Sequence, residues 1–148
     1  MAGLFGSWNL NGQPMERALM AALGRTLAHR GLDGERTYLS DSAGLGCQQF
    51  RITPESAGEV QPIVRPSGVV LVFDGRLDDR DRLLAALRDR DPVSAASSDP
   101  DLVGAAYDAF GLDFAAHLSG DFAAAVLDLP ARRLVLARDA IGVRPLYY

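Results

Sequence analysis

Few side chains in this 148-residue chain are of the types that act as nucleophiles or metal ligands. The sequence has one cysteine, Cys47, and two histidines, His29 and His117. A lone cysteine cannot close an internal disulfide, and within a strand it is more often a small buried apolar residue, which is how we interpret Cys47. His29 suits a helix end or a hydrogen-bonded turn, and His117 suits a helix. Because neither histidine has a visible metal partner, the sequence predicts no metal site.

The segment Ser98-Asp99-Pro100-Asp101 supports two interpretations. In the first, Ser98 caps a helix, Pro100 lies in its first turn and Asp101 lies near the positive end of the helix dipole. In the second, Asp99 contacts a bound ligand. Capping is the preferred interpretation, and ligand contact by Asp99 stays open.

The elements that must position these residues begin with a strand over residues 4–10, which ends at the turn Asn11-Gly12. A helix is predicted over residues 14–29, because Pro14 suits a first helical turn and Gly31 suits a position just past the end. Apolar residues recur between them at helical spacing and indicate one buried stripe, formed by Met15, Leu19, Leu23 and Leu27.

Short runs bounded by Gly, Pro, Asp or Ser predict further strands at residues 36–39, 44–52, 63–65 and 69–73. Residues 69–73 are apolar throughout, so we expect both faces of that strand to be covered. Helices over residues 79–90 and from about Ser98 follow, and then a hairpin of strands 122–127 and 133–137. Strands in two runs with helices between them predict an α+β fold of two packed sheets with helices outside.

Composition excludes several classes of protein. With 48% hydrophobic residues the chain is long and apolar enough for one domain with a sizeable core. No apolar run approaches the roughly 20 residues needed to cross a membrane, and no secretory signal is visible, so a cytoplasmic protein is the default expectation. The net charge is -4 with acids and bases interspersed, which makes nucleic acid an unexpected partner.

Several segments, in order along nearly the whole chain, are similar to motifs of one known family. The chain opens Met-Ala-Gly-Leu-Phe-Gly where that family has Met-Cys-Gly-Ile-Phe-Gly. Further matches are His-Arg-Gly-Leu-Asp-Gly at 29–34, Gly-Leu-Gly at 44–46, Phe-Asp-Gly-Arg-Leu at 73–77, Ser-Asp-Pro-Asp at 98–101, Leu-Ser-Gly-Asp-Phe-Ala at 118–123 and the motif at 136–148 ending in Arg-Pro-Leu-Tyr-Tyr. The sequence resembles the class II glutamine amidotransferase domain of asparagine synthetases and of their relatives, the β-lactam synthetases and lasso-peptide cyclases.

This resemblance implies the four-layer αββα sandwich of amino-terminal-nucleophile hydrolases. It also implies a single glutaminase-like domain over residues 1–148, without the ATP-binding synthetase domain that accompanies it in the family. No cofactor is expected in this chain, whereas ATP and Mg are implied for an attached or associated synthetase domain. That domain is the expected partner, together with an amino-acid or peptide substrate.

The resemblance places Ala2 at the position of the nucleophile. In the family a Cys exposed by removal of the initiator Met attacks the side-chain amide of glutamine, with its own α-amino group as base. The methyl group of Ala2 cannot do this. Asp74 and Gly75 match the positions that supply the oxyanion-hole donors, and an ionised Asp74 cannot donate a hydrogen bond. We therefore expect no catalytic residue here.

The positions that bind free glutamine have changed as well. Gln49 matches the Arg that binds the carboxylate, so the charge-assisted bidentate pair is lost. Arg76 matches the Glu that receives the ammonium and would repel it, whereas Asp99 is retained. We expect Gln49, Gly75, Arg76 and Asp99 to mark a vestigial pocket. Because Asp74 and Arg76 are two residues apart on one strand face, we also expect these two to pair and partly fill it.

These changes predict a degenerate, non-hydrolysing glutamine amidotransferase-like domain that supports an ATP-dependent amide-forming ligase, such as a lasso-peptide cyclase or β-lactam synthetase. One alternative is the glutaminase domain of a true asparagine synthetase that carries an engineered Ala2. Another is a stand-alone module that binds a small molecule or a peptide.

Overall fold

Two antiparallel sheets form the centre of the protein in this computed structural model, which describes residues 2–51 and 56–148. The first sheet has the strand order β1-β3-β2, and the second has the order β4-β5-β6-β7. The strands of the first sheet are β1 (Gly3–Trp8), β2 (Glu35–Leu39) and β3 (Ala43–Gln48). Those of the second are β4 (Ile63–Val64), β5 (Val69–Leu77), β6 (Gly120–Asp128) and β7 (Arg133–Arg138).

Helices cover the outer face of each sheet. They are α1 (Arg17–Thr26), α2 (Arg80–Leu87) and α3 (Asp99–Phe110), with short 3-10 helices at Ala28–Arg30 and Gly111–His117. Met20 of α1 packs with Phe5 of β1, whereas α2 and α3 pack on β5 and β6. The layer order is therefore helix, sheet, sheet, helix, as predicted for the fold class.

The alternation of side chains along β5 explains why the two sheets stack. Val70 and Val72 face the first sheet and join Leu45 and Cys47 in a core between the sheets. Leu71 and Phe73 point the other way and join the core beneath α2 and α3. A strand covered on both faces needs an uninterrupted apolar run, so the prediction for residues 69–73 is confirmed.

Several boundaries differ from the sequence prediction. The helix predicted over residues 14–29 is shorter, because Glu16 has extended dihedral angles and Leu27 closes the last turn before a 3-10 segment. The strand predicted over residues 69–73 continues to Leu77, because β6 pairs with β5 along its whole length. The strand predicted over residues 44–52 ends at Gln48, and residue 52 lies outside the described residues.

The fold brings the start of β1 against the far end of β5. Ala2 precedes β1 directly and is buried in the core between the sheets, while Asp74 lies on β5 and is 5% exposed. Within the described residues, no helix has the length and apolarity needed to cross a membrane.

Candidate functional site

Asp74 binds the backbone of Ala2. The Asp74 Oδ1 atom accepts a hydrogen bond of 2.6 Å from the Ala2 N–H, across 72 residues of sequence. Arg30, just after α1, donates from Nε to the Ala2 carbonyl at 3.2 Å and from Nη2 to Asp74 Oδ2 at 3.3 Å. We call this arrangement of Ala2, Arg30 and Asp74 the backbone clamp. The N–H group of Ala2 is thereby held by a carboxylate, and its C=O group is held by a guanidinium group.

An open cleft of about 500 Å³ lies beside the clamp. Apolar and charged side chains share its walls. The lining residues are Ala2, Phe50, Ser56, Glu59, Gln61, Phe73, Asp74, Gly75, Arg76, Leu77, Arg80, Ala95, Asp99 and Arg144. Five of the six site positions predicted from the sequence therefore meet at one cleft, and these are Ala2, Asp74, Gly75, Arg76 and Asp99.

Gln49 is the predicted site residue that does not line the cleft. The residue is 3% exposed, and its Nε2 donates to the Glu59 carbonyl at 3.1 Å. Its Oε1 accepts from Arg51 Nη2 at 3.1 Å. Both ends of the amide are thus already hydrogen-bonded inside the protein, so Gln49 holds the segment that carries Glu59.

The expected pair of Asp74 with Arg76 is wrong. Asp74 pairs with Arg30, and the Arg76 guanidinium pairs instead with Asp78, with 2.8 Å between Nη2 and Oδ1. Exposure accounts for the difference, because the Arg76 side chain is 66% exposed and the Asp74 side chain only 6%. Arg76 therefore lies at the cleft rim and does not fill the cleft.

Gly75 allows β5 and β6 to approach closely at the cleft. A Cβ atom there would lie 2.2 Å from the Asp121 carbonyl oxygen and 2.7 Å from the Phe122 Cα. Real Cβ atoms do not come so near to backbone atoms, so only glycine fits without movement of a strand. Gly75 thus has a packing reason to be glycine, independent of any chemistry.

Asp99 contacts its own protein at the cleft wall. One carboxylate oxygen accepts from the Leu77 N–H at 2.8 Å and the other from the Arg80 guanidinium. The neighbouring Ser98 and Asp101 form a reciprocal capping box at the start of α3, so the preferred capping interpretation of this segment is confirmed. Ligand contact by Asp99 stays a prediction, although both of its oxygens already have partners.

Arg144 and Glu59 are cleft residues that the sequence reasoning missed. Arg144 Nη1 lies 4.0 Å from Asp74 Oδ2, and its backbone N–H donates to Asp139 Oδ2 at 3.1 Å. Burial raises the pKa of Glu59, and the nearby Asp99 charge raises it further. The arginine of the Arg-Pro-Leu-Tyr-Tyr motif was a signal for Arg144, but nothing in the local sequence of Glu59 marks it.

Cys47 is a core residue, as the sequence indicated. It is fully buried between the sheets, and that burial raises the pKa of its thiol to about 12. His117 stacks on Phe110 with ring centroids 3.7 Å apart. In the part of the chain that the structure describes, no group of three or more His, Cys, Asp or Glu side chains is placed to hold a metal ion.

Sequence comparison relates the chain to known proteins. The profile of the "Glutamine amidotransferase domain" family matches residues 1–148. Amidase chry2 of Gibberella zeae is 36% identical over 125 residues, which are 82% of this chain and 18% of that protein. Asparagine synthetase B [glutamine-hydrolyzing] of Escherichia coli is 31% identical over 149 residues, which are 99% of this chain and 26% of that protein. The chain thus spans about a fifth to a quarter of the length of these relatives.

A solved structure shares the fold. Glutamine phosphoribosylpyrophosphate amidotransferase from Bacillus subtilis, complexed with ADP and GMP, superposes with a TM-score of 0.71 at 18% sequence identity. The match covers 98% of this chain and 38% of that one. At this identity the likeness concerns the fold, and it supports the assignment to the amino-terminal-nucleophile type.

Proposed function

The chain belongs to the glutamine amidotransferase domain family. We propose that this member of the family no longer hydrolyses glutamine. The observation that carries the proposal is the backbone clamp. The cleft wall at residue 2 presents a methyl group, and both oxygens of Asp74 contact hydrogen-bond donors of the protein itself. A carboxylate at this place supplies negative charge where an amide-hydrolysing site needs donors for an oxyanion.

The role we propose is that of a non-hydrolysing domain in an asparagine-synthetase-like ligase that forms amides with ATP. Asparagine synthetases among its relatives support the parent class. The precedent for loss of the nucleophile comes from the resemblance to β-lactam synthetases and lasso-peptide cyclases, which acylate an amine already present in the substrate. Ammonia from glutamine is then unnecessary. A cytoplasmic location is part of the proposal.

ATP and Mg belong, in this proposal, to a synthetase domain attached to or associated with this one. The described residues offer no cluster of carboxylates for a divalent cation, so they do not fit Mg. Two acidic residues of the cleft, Asp74 and Asp99, are bound to arginines. The residues of this domain would shape the partner's surroundings and would not take part in the chemistry on ATP.

The test separates the missing nucleophile from the altered pocket. Glutamate and ammonia release from glutamine is measured for the unmodified protein, for Ala2→Cys, and for Ala2→Cys combined with Asp74→Asn, with removal of Met1 confirmed by mass. We expect no release from the first two. Since one oxyanion donor is worth about a hundredfold to a thousandfold in rate, any recovery should appear only with both changes. Hydrolysis by Ala2→Cys alone would contradict the proposed loss of the pocket.

The ligase role needs its own measurement. ATP consumption by the protein together with its synthetase domain should be the same with and without glutamine, because no ammonia reaches the ligase. Stimulation by glutamine would contradict the proposal, and stimulation by an amine-bearing substrate would support it.

A further inference from the structure

One edge of the first sheet is formed by β2, which pairs with β3 on one side only. Just past the strand, the Ser40 N–H donates to the Ala43 carbonyl at 2.8 Å. Just before it, the Gly34 carbonyl accepts from the Gln49 N–H at 2.8 Å. Because residues that exchange hydrogen bonds alternate along an antiparallel pair with residues that do not, the even-numbered residues of β2 direct their backbone groups to β3. The odd-numbered residues direct theirs away from the sheet, and these are Glu35, Thr37 and Leu39.

The outer edge of β2 is open to a further strand. Within the described part of the chain, no hydrogen bond engages the outward N–H and C=O groups of those three residues. Glu35, Arg36 and Thr37 are exposed, and Tyr38 and Leu39 are half-buried. A row of such backbone groups on a sheet edge is a template for pairing with another chain.

The other edges of the two sheets are less suited to this pairing. The strand β4 consists only of Ile63–Val64. At the start of β1, the backbone clamp already occupies the N–H and C=O groups of Ala2. The strand β7 carries positive charge at both ends, from Arg133 and Arg138, so two copies of it would repel each other. In contrast, β2 has one acid and one base and no net charge.

A second copy of β2 matches the first in an antiparallel register with the two-fold axis at Thr37. Thr37 then pairs with Thr37 of the second copy, and Glu35 pairs with Leu39, so all outward backbone groups of the strand find partners. The same register places Arg36 opposite Tyr38, where a guanidinium group can stack on the aromatic ring. No two like charges lie directly opposite each other in this arrangement.

Neighbouring registers are worse for the same strand. An axis at Arg36 would place the two Arg36 side chains directly opposite each other and would leave the outward groups of Leu39 without a partner in β2. An axis at Tyr38 would leave the outward groups of Glu35 without one. Charge and the number of hydrogen bonds therefore select the axis at Thr37.

We propose that two copies of this protein associate through their β2 strands, antiparallel and centred on Thr37, to form one continuous six-stranded sheet. The contact is small, with five residues from each copy, so the dimer is weak, with a Kd between about 1 µM and 1 mM. The strand order β1-β3-β2 puts this edge on the far side of the sheet from Ala2. The inference therefore goes beyond the proposed function and does not depend on the chemistry of the cleft.

The first test is sedimentation of the full 148-residue chain at concentrations from about 1 µM to 1 mM. We expect the mean mass to rise from that of a monomer toward that of a dimer. Thr37→Lys places two positive charges opposite each other at the axis, and the exposed position tolerates the side chain in the monomer. This variant should weaken the dimer at least about fivefold.

The matched control is Ala131→Lys, which makes the same change of charge in the exposed turn between β6 and β7. It should leave the dimer unchanged. A monomer over the whole range of concentration would overturn the inference. A dimer that Thr37→Lys weakens no more than Ala131→Lys does would place the contact at another surface and would overturn it as well.

Cross-linking tests the register and does not depend on the behaviour of Thr37→Lys. The Cα atoms of directly opposite, hydrogen-bonded residues lie about 5.5 Å apart, which is within the range that a disulfide spans. Thr37→Cys treated with diamide as oxidant should form a disulfide-linked dimer, seen as a doubled mass that a reducing agent reverses. Cys47 is fully buried and should not contribute. Cross-linking of Thr37→Cys no faster than that of Ala131→Cys would overturn the proposed register.

Discussion

Asp74 on β5 and Ala2 at the start of β1 are joined by a hydrogen bond of 2.6 Å between a carboxylate oxygen and a backbone N–H. The bond links the two sheets at the cleft, and Arg30 completes the link from the other side of Ala2. The Asp74 carboxylate thus fixes Ala2 at the start of β1, a structural role that its proposed place at the oxyanion-hole position did not suggest.

The backbone clamp should contribute measurably to stability. Asp74→Asn removes the charge that compensates Arg30, in a place where the carboxylate is almost fully buried. We expect a loss of about 1.5 kcal/mol in the free energy of unfolding, measured by urea denaturation, since Arg30 is partly solvated. The matched control is Asp78→Asn at the exposed pair with Arg76, which should cost less than about 0.5 kcal/mol. Equal losses in Asp74→Asn and Asp78→Asn would contradict a stabilising role of the backbone clamp.

Gly75 should not tolerate any side chain. The methyl group of Gly75→Ala would meet the backbone of Asp121 and Phe122, so β5 and β6 must separate locally. We expect a loss of about 2 kcal/mol or more. Gly58→Ala is the control, because a Cβ atom at Gly58 meets nothing within 4 Å and should change stability by less than about 0.5 kcal/mol. Thermal unfolding of both variants distinguishes a packing requirement from a general cost of losing glycine.

Cys47 should be inert in the folded protein. Its thiol is buried and has a pKa of about 12, so almost no thiolate exists near neutral pH. Treatment with iodoacetamide at about pH 8 should leave the native protein unmodified by mass and should alkylate it fully in urea. Rapid alkylation of the native protein would show that Cys47 is accessible as a nucleophile.

The lowered pKa of Asp139 predicts that the protein loses stability at acidic pH. Burial acts to raise its pKa, but backbone N–H groups of Val143, Arg144 and Phe122 outweigh this and hold the pKa below its ordinary value. Its contribution to stability is therefore present above the unfolded pKa of about 3.9 and is lost as the pH falls through the lower folded value. Asp139→Asn should lower the Tm at about pH 7 and change it much less at about pH 2.5. A constant difference across this range would contradict the assignment.

Much of the architecture was predictable because it depends on local patterns. The apolar run at residues 69–73 fixed β5 as a strand between two cores, and Ser98 with Asp101 marked the start of α3 by a chemistry that needs only neighbouring residues. The positions of Ala2, Asp74 and Asp99 followed from ordered motifs. Each of these features depends on a short stretch of sequence.

The partners of these residues were not predictable. Arg30 and Arg144 reach Asp74 only after the sheets stack, across 44 and 70 residues of sequence respectively. The spacing of Asp74 and Arg76 suggested a pair, but it did not reveal that one side chain would be buried and the other exposed. The Gln49 side chain is buried because Arg51 and the Glu59 carbonyl satisfy its amide. No local sequence pattern predicts these two partners.

The backbone clamp holds residue 2 by its N–H and C=O groups and makes no use of its side chain. A substitution at this position therefore leaves both hydrogen bonds of the clamp in place, provided that the new side chain is small, since Ala2 is only 8% exposed. A chemist who wishes to place a thiol or a hydroxyl at the cleft wall can do so by adding a single atom to the methyl group of Ala2.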